Sequence, residues 1–315
     1  MDHENNEIQQ APAAPEKPKR AVPSQSKIMY YSLLAVFSAV FLLCVVFLLT
    51  YFLQNNEVEG NYDAMASIRE SVLASIAQDN ETSQATQPPD TNEGTLATKP
   101  TQPTEPTILP ELQPLYDINN YLVGYLTIPA AEVDLPVVQT PDKPDYYLRR
   151  DFYTNEYSTP GCLYVREKCD VFAPSDNVVI YGHAMRNETM FGQLYKFQDK
   201  EFWEANQIFT FDTLYERHVY QIFAVFKTSG TQRRDDGTPL GYPYHRFNDA
   251  ESQEEFDKFI ADIKGAAWTS DTTYVGHTFY ETGITPQYGD KLLCLSTCEK
   301  TIDNGRLVIM AVRIA

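Results

Sequence analysis

The sequence predicts a mainly β protein: a closed eight-stranded barrel with peripheral helices, preceded by one transmembrane helix and a flexible stalk. Three observations predict it. An uninterrupted apolar stretch near the N-terminus carries no charge. A Thr/Pro/Gln-rich segment follows. From Ile108 onward, short runs rich in β-branched and aromatic residues alternate with turn residues. With 43% hydrophobic and 13% aromatic residues over 315 positions, the chain has the material for a large core. Its 25 Lys+Arg against 43 Asp+Glu leave a net charge of −18, which repels a nucleic-acid backbone, so no nucleic-acid partner is expected. No internal repeat is evident.

Residues 1–27 form a polar tail rich in Pro and Ala, with Lys17, Lys19, Arg20 and Lys27 leading up to the apolar run. Residues 28–53 lack charge, and a helix of that length covers roughly 39 Å, enough to cross a hydrocarbon core of about 30 Å with tilt. The apolar part of a cleaved signal peptide would be only about 7–15 residues, so an uncleaved anchor is expected. Basic residues before it and Glu57, Glu59 and Asp63 after it place the tail in the cytoplasm and the rest outside. Residues 54–107 are the extracellular stalk. Within it Met65, Ile68, Val72 and Ile76 recur at helical spacing over 61–78, while 79–107 reads as an extended linker. The folded domain is placed at 108–315.

In that domain the alternation predicts strands at 121–128, 132–139, 161–167, 177–182, 207–213, 218–227, 290–297 and 306–313, a number that suits a closed barrel. Helical spacing predicts one helix over 191–205 and another over 250–264, where Phe256, Phe259, Ile260 and Ile263 share a face. Before the latter, GTPLGYPYHRF marks a long irregular connection of the kind that carries binding function.

Five cysteines in a chain of this length, at 44, 162, 169, 294 and 298, do not make a disulfide scaffold, and no CxxC pair suggests zinc. No metal and no cofactor are expected. Cys44 lies inside the apolar span, and a bridge between Cys162 and Cys169 stays open. Cys294 and Cys298 share a strand face but stand about 13 Å apart along it, beyond the roughly 7 Å that a disulfide spans. Cys298 is left as a free thiol at a strand end. A turn containing Asp303-Asn304-Gly305 leads back to a strand beginning at Arg306, so the two form a hairpin. If its pairing is regular, Cys298 and Arg306 lie within about 5 Å at Cβ. A guanidinium beside a thiol favours the thiolate and offers N–H donors to a tetrahedral oxyanion. Such a nucleophile needs a proton carrier. Of five histidines, His183 ends an apolar strand directly after Gly182, and from spacing alone it stays open between that role and a structural one.

The segments LSTC (295–298), NGR (304–306) and IYGHAMRNETMFGQL (180–194) resemble class B sortases of Gram-positive bacteria. These show a TLxTC strand end, an arginine at the start of the last strand, and a YGH segment around a histidine. Similarity extends through GYLTIPAAEVDLPVVQ (124–139), YYLRRDF (146–152) and the FDKFI helix, so that roughly residues 115–315 take part. The chain departs from the pattern at Cys294, where the family has Thr, and at Ala184, where it has Asn.

The resemblance implies that His183, Cys298 and Arg306 are the catalytic set of a cysteine transpeptidase, a peptide hydrolase by class, on a sortase-type eight-stranded barrel. It implies cleavage of a C-terminal sorting signal of secreted proteins after a threonine, a Cys298 thioester, and transfer to an amine of a peptidoglycan precursor or of a pilin. The substrate groove would involve residues 228–289, with Tyr181, Ser296 and Thr297 as further lining. Two alternatives are a membrane-tethered cysteine peptidase without transfer and a catalytically silent surface module. Papain-like enzymes place Cys before His, whereas here His183 comes first. L,D-transpeptidases carry arginine directly after the cysteine, where this chain has Glu299.

Overall fold

The computed structural model describes residues 25–84, 106–231, 241–264, 277–278 and 284–315. The chain divides into two compact units, Met1–Gln54 and Asn55–Ala315. In the first, Gln25–Leu53 is helical and long and apolar enough to cross a membrane. It is the beginning of helix α1 (Gln25–Gln84).

In the second unit the sheet grows from β1 (Leu122–Ile128), β2 (Val133–Val138), β3 (Leu163–Val165), β4 (Asn177–Tyr181), β5 (Ile208–Thr213), β6 (Val219–Ser229), β7 (His277–Thr278), β8 (Leu292–Glu299) and β9 (Gly305–Arg313). The order is β5-β1-β2-β3-β4-β8-β9-β6, and β5 pairs with β6, so eight strands close into a barrel; the two-residue β7 adds to β6 outside the ring. Each predicted strand is present, most of them trimmed by one or two residues at the ends. Two pairs, β2 with β3 and β4 with β8, run parallel. Parallel neighbours need a crossover, and the chain between β4 and β8 supplies it with β5, β6 and the peripheral helices.

Strand β1 is buried on both faces because two clusters flank it. Leu126 and Ile128 join the barrel interior with Val179, Phe223, Leu293 and Ile309. Leu122 and Tyr125 join a second cluster with Met65 of α1, Leu115 of α2 (Gln113–Ile118), Tyr147 and Phe152. Part of the segment expected to be stalk is thereby fixed to the barrel. Met65 is fully buried, Tyr62 donates its hydroxyl to the Gly161 carbonyl, and Arg69 lies 3.2 Å from Asp212 and over the Tyr125 ring at 4.5 Å. The helical spacing over 61–78 is thus seen, with its apolar residue packed on this unit. The linker expected over 79–107 begins as the last turns of α1, and its residues 85–105 lie outside the described residues.

The helix expected over 191–205 differs. It is a 3₁₀ segment, Gly192–Gln198, followed by α3 (Lys200–Ala205). Asp199 breaks it: its backbone is extended and its carboxylate accepts from Phe202 N at 2.9 Å, capping a new helix rather than continuing the old one. Helix α4 (Gln253–Ile263) falls within 250–264, capped by Ser252, and buries Phe256, Phe259, Ile260 and Ile263 as their spacing predicts.

Candidate active site

Hairpin β8–β9 places Cys298 directly opposite Arg306, the outermost pair but one of the register; Glu299 with Gly305 closes it. The turn is therefore shorter than the sequence suggests, because β8 runs through Cys298 to Glu299. Asn304 takes a left-handed conformation with φ of 49° to make it.

On the other side of β8 lies β4, in parallel register with Tyr181 opposite Ser296. Parallel strands leave a sheet at the same end, so His183 and Cys298, each two residues beyond that pair, emerge together. Two bonds carry the pairing past the strand end. Gly182 N donates to the Ser296 carbonyl at 3.2 Å, and Thr297 Oγ1 donates to the Gly182 carbonyl at 2.7 Å. A Cβ at Gly182 would stand 2.4 Å from the Leu163 side chain and 2.7 Å from the Phe191 ring, both buried, so a larger residue would force these core side chains to move.

His183, Cys298 and Arg306 line one cleft of about 500 Å³, and Tyr181, Ser296 and Thr297 line it with them. Cys298 is exposed, His183 and Arg306 are half-buried. His183 Nε2 lies 3.0 Å from the Leu148 carbonyl. A carbonyl only accepts, so Nε2 carries the proton in that bond and Nδ1 keeps the lone pair of the neutral ring. Burial holds this imidazole below its ordinary value. The Leu148 bond acts against that, and the Arg149 cation adds to it.

Of the other three predicted residues, two have their hydroxyls engaged and the third packs by its ring. Ser296 and Thr297 are buried; Ser296 Oγ is bonded to Tyr244 Oη at 2.6 Å, and Thr297 Oγ1 is held by Gly182. Tyr181 packs on Tyr164 with ring centroids 5.5 Å apart. Within 228–289, Ser229, Gly230, Tyr242, Tyr244 and His245 line the cleft, while residues 232–240, 265–276 and 279–283 lie outside the described residues.

Sequence reasoning missed Tyr164 and Arg166 as lining, and named the connection carrying Tyr242, Tyr244 and His245 only as a range. The aromatic GYPYHRF was the available signal. Burial raises the hydroxyls of Tyr164, Tyr181 and Tyr244 well above the ordinary phenol range, so they stay protonated at neutral pH. The Arg306 guanidinium acts against that rise at Tyr164 and Tyr244. A second cleft, about 280 Å³, reaches Cys298 from another side and is lined by Ala184, Met185, Glu188 and Tyr195 among others.

The other cysteines of this unit, Cys162, Cys169 and Cys294, do not line this cleft. All five are free thiols. Burial pushes Cys162, Cys169 and Cys294 up, Cys294 being fully enclosed between Val179 of β4 and Met310 of β9.

A family model described as Sortase domain matches residues 126–314. The chain is 29% identical over 201 residues to Sortase B of Listeria monocytogenes, covering 63% of this chain and 72% of that protein. It is 25% identical over 206 residues to Sortase B of Staphylococcus aureus, covering 65% and 75%. A solved Staphylococcus aureus sortase B–substrate complex shares the fold with a TM-score of 0.61 at 21% identity, over 83% of this chain and 98% of that one. With the family match spanning more than half of its length, the chain belongs to the sortase family, on the class B side to which both of these relatives belong.

Proposed function

We propose that this protein is a membrane-anchored cysteine transpeptidase that cleaves the C-terminal sorting signal of secreted proteins and transfers the acyl group to an amine of a peptidoglycan precursor or a pilin. The observation that carries the reading is the convergence of three separate chain positions. Cys298 and Arg306 are paired across one hairpin, and His183 arrives on the neighbouring strand in the same cleft.

Cys298 Sγ adds to the carbonyl carbon of the scissile bond while its proton passes to His183, whose neutral ring keeps a basic nitrogen. Arg306 donates to the oxyanion that forms. Collapse of the tetrahedral adduct breaks the C–N bond, and His183 returns the proton to the leaving amine. The acceptor amine then adds to the thioester, gives its proton to His183, and expels the Cys298 sulfur, which regains that proton. Atoms and electrons balance without a cofactor.

In this reading the second cleft at Cys298 gives the acceptor amine an approach that the acyl chain in the first cleft does not block. The apolar segment Gln25–Leu53 anchors the enzyme, with the basic tail inside and the catalytic unit outside, where secreted substrates emerge.

The test is product analysis. Detergent-solubilised full chain is incubated with a panel of threonyl peptides patterned on sorting signals, with and without triglycine as amine. Peptide–triglycine conjugates exceeding the free acid support transfer. Free acid alone at saturating amine contradicts it and leaves a tethered peptidase.

A further inference from the structure

Arg306 is held by one of its guanidinium nitrogens. Nη1 lies 3.1 Å from the Asn304 carbonyl, 3.1 Å from Asn304 Oδ1 and 2.9 Å from the Gly305 carbonyl. Among the described residues no other group accepts from the guanidinium, so its Nε–Nη2 edge is uncommitted while its position is fixed. Three acceptors around two protons leave Nη1 saturated.

Asn304 is itself braced from the far strand. Gly230 N donates to the Asn304 carbonyl at 2.7 Å, Asn304 Nδ2 donates to Thr231 Oγ1 at 3.3 Å, and Ser229 Oγ donates to the neighbouring Asp303 carbonyl at 2.9 Å. Ser229 ends β6, where Thr228 is the register partner of Arg306 and Ser229 that of Gly305. The Asn304 amide thus joins Thr231, two residues past the end of β6, to which it donates, to the guanidinium, from which it accepts. A carboxylate could accept but not donate, and a hydroxyl is too short to do both. The φ of 49° is one that asparagine tolerates better than most residues.

We infer that Asn304 is the positioning residue of Arg306. It anchors Nη1 to the turn and so directs the Nε–Nη2 edge to the oxyanion formed at Cys298. The inference rests on the proposed reading that Arg306 acts on that oxyanion.

Asn304→Gly isolates the side chain, since glycine keeps the left-handed turn and both main-chain acceptors. The experiment measures kcat and KM of the solubilised full chain for the fastest-cleaved fluorogenic threonyl peptide of the panel, with triglycine, alongside thermal unfolding. Asn304→Gly, Asn304→Asp, Arg306→Lys and the Asn304→Gly/Arg306→Lys double variant are compared with the parent. The expected result is a fall in kcat of about ten-fold for Asn304→Gly, less than the roughly 10²-fold that a full ångström of misplacement can cost, with KM and the unfolding temperature unchanged. Asn304→Asp, which keeps the acceptor, retains most of the rate. In the Arg306→Lys background Asn304→Gly has no further effect. Parent-like kcat in Asn304→Gly, or an equal loss in both backgrounds, overturns the inference while leaving Arg306 in its role. Parent-like kcat in Arg306→Lys overturns instead the reading on which the inference rests.

Discussion

His183 and Cys298 each stand two residues beyond Tyr181 and Ser296, the last register pair of the parallel strands β4 and β8. Residues that are 115 positions apart in the chain are therefore neighbours by register. A change that shifts β4 against β8 would separate them without touching either side chain.

Arg306→Lys keeps the positive charge but loses the planar fork of donors. If the guanidinium serves the oxyanion, kcat falls by about 10²-fold, the loss seen when one such donor is removed. Rapid-quench measurement of the acylation step checks this.

The pH profile should show where the base titrates. Burial sets His183 below its ordinary 6.5, with Arg149 adding to the shift against the Leu148 bond. If the neutral ring accepts the Cys298 proton as proposed, the acid limb of kcat/KM appears as pH falls through that lowered value. The limb is expected below 6.5. Removing the neighbouring cation in Arg149→Gln should move it upward.

Arg69 is the counter-charge of Asp212, whose carboxyl burial pushes up while Arg69 acts to hold it down. Arg69→Ala takes away that carboxylate's ion-pair partner while it stays enclosed, at a cost of about 3 kcal/mol. A lower unfolding temperature with kcat per folded molecule unchanged is the expected outcome. Such a result would mark α1 as part of the catalytic unit's stability rather than a spacer.

Thiol labelling distinguishes the cysteines. Iodoacetamide on the solubilised native chain should modify Cys298, which is exposed, and spare the buried Cys162, Cys169 and Cys294. Peptide mapping reads the sites directly, and prompt labelling of Cys294 would contradict the packing described between β4 and β9.

Local features carried the reading of the sequence furthest. Runs rich in β-branched and aromatic residues, and the turn residues between them, located the strands, and the hairpin register of Cys298 with Arg306 followed from the short return after LSTC. Long-range relations were not legible. Nothing near Met65 or Arg69 says that they pack on Tyr125 and Asp212, and nothing in NVVIYGH says which strand lies beside it. The partnership of His183 with Cys298 came from family resemblance for that reason. Asp199 was legible in principle: an aspartate three residues before Phe202 is an N-cap signal, and weighing it would have split the 191–205 helix. Ser296 and Thr297 line the cleft with Cys298, but their hydroxyls are taken by Tyr244 and Gly182, partners that only the closed barrel brings near.

The central claim is the acyl-enzyme at Cys298. Intact-mass and peptide-mapping spectrometry of the full chain, mixed with a cleavable threonyl peptide in the absence of amine, tests it most directly. The expected result is one acyl adduct, located on Cys298, discharged by triglycine and missing from Cys298→Ala. Turnover by Cys298→Ala, or an adduct mapped to any other residue, would contradict it.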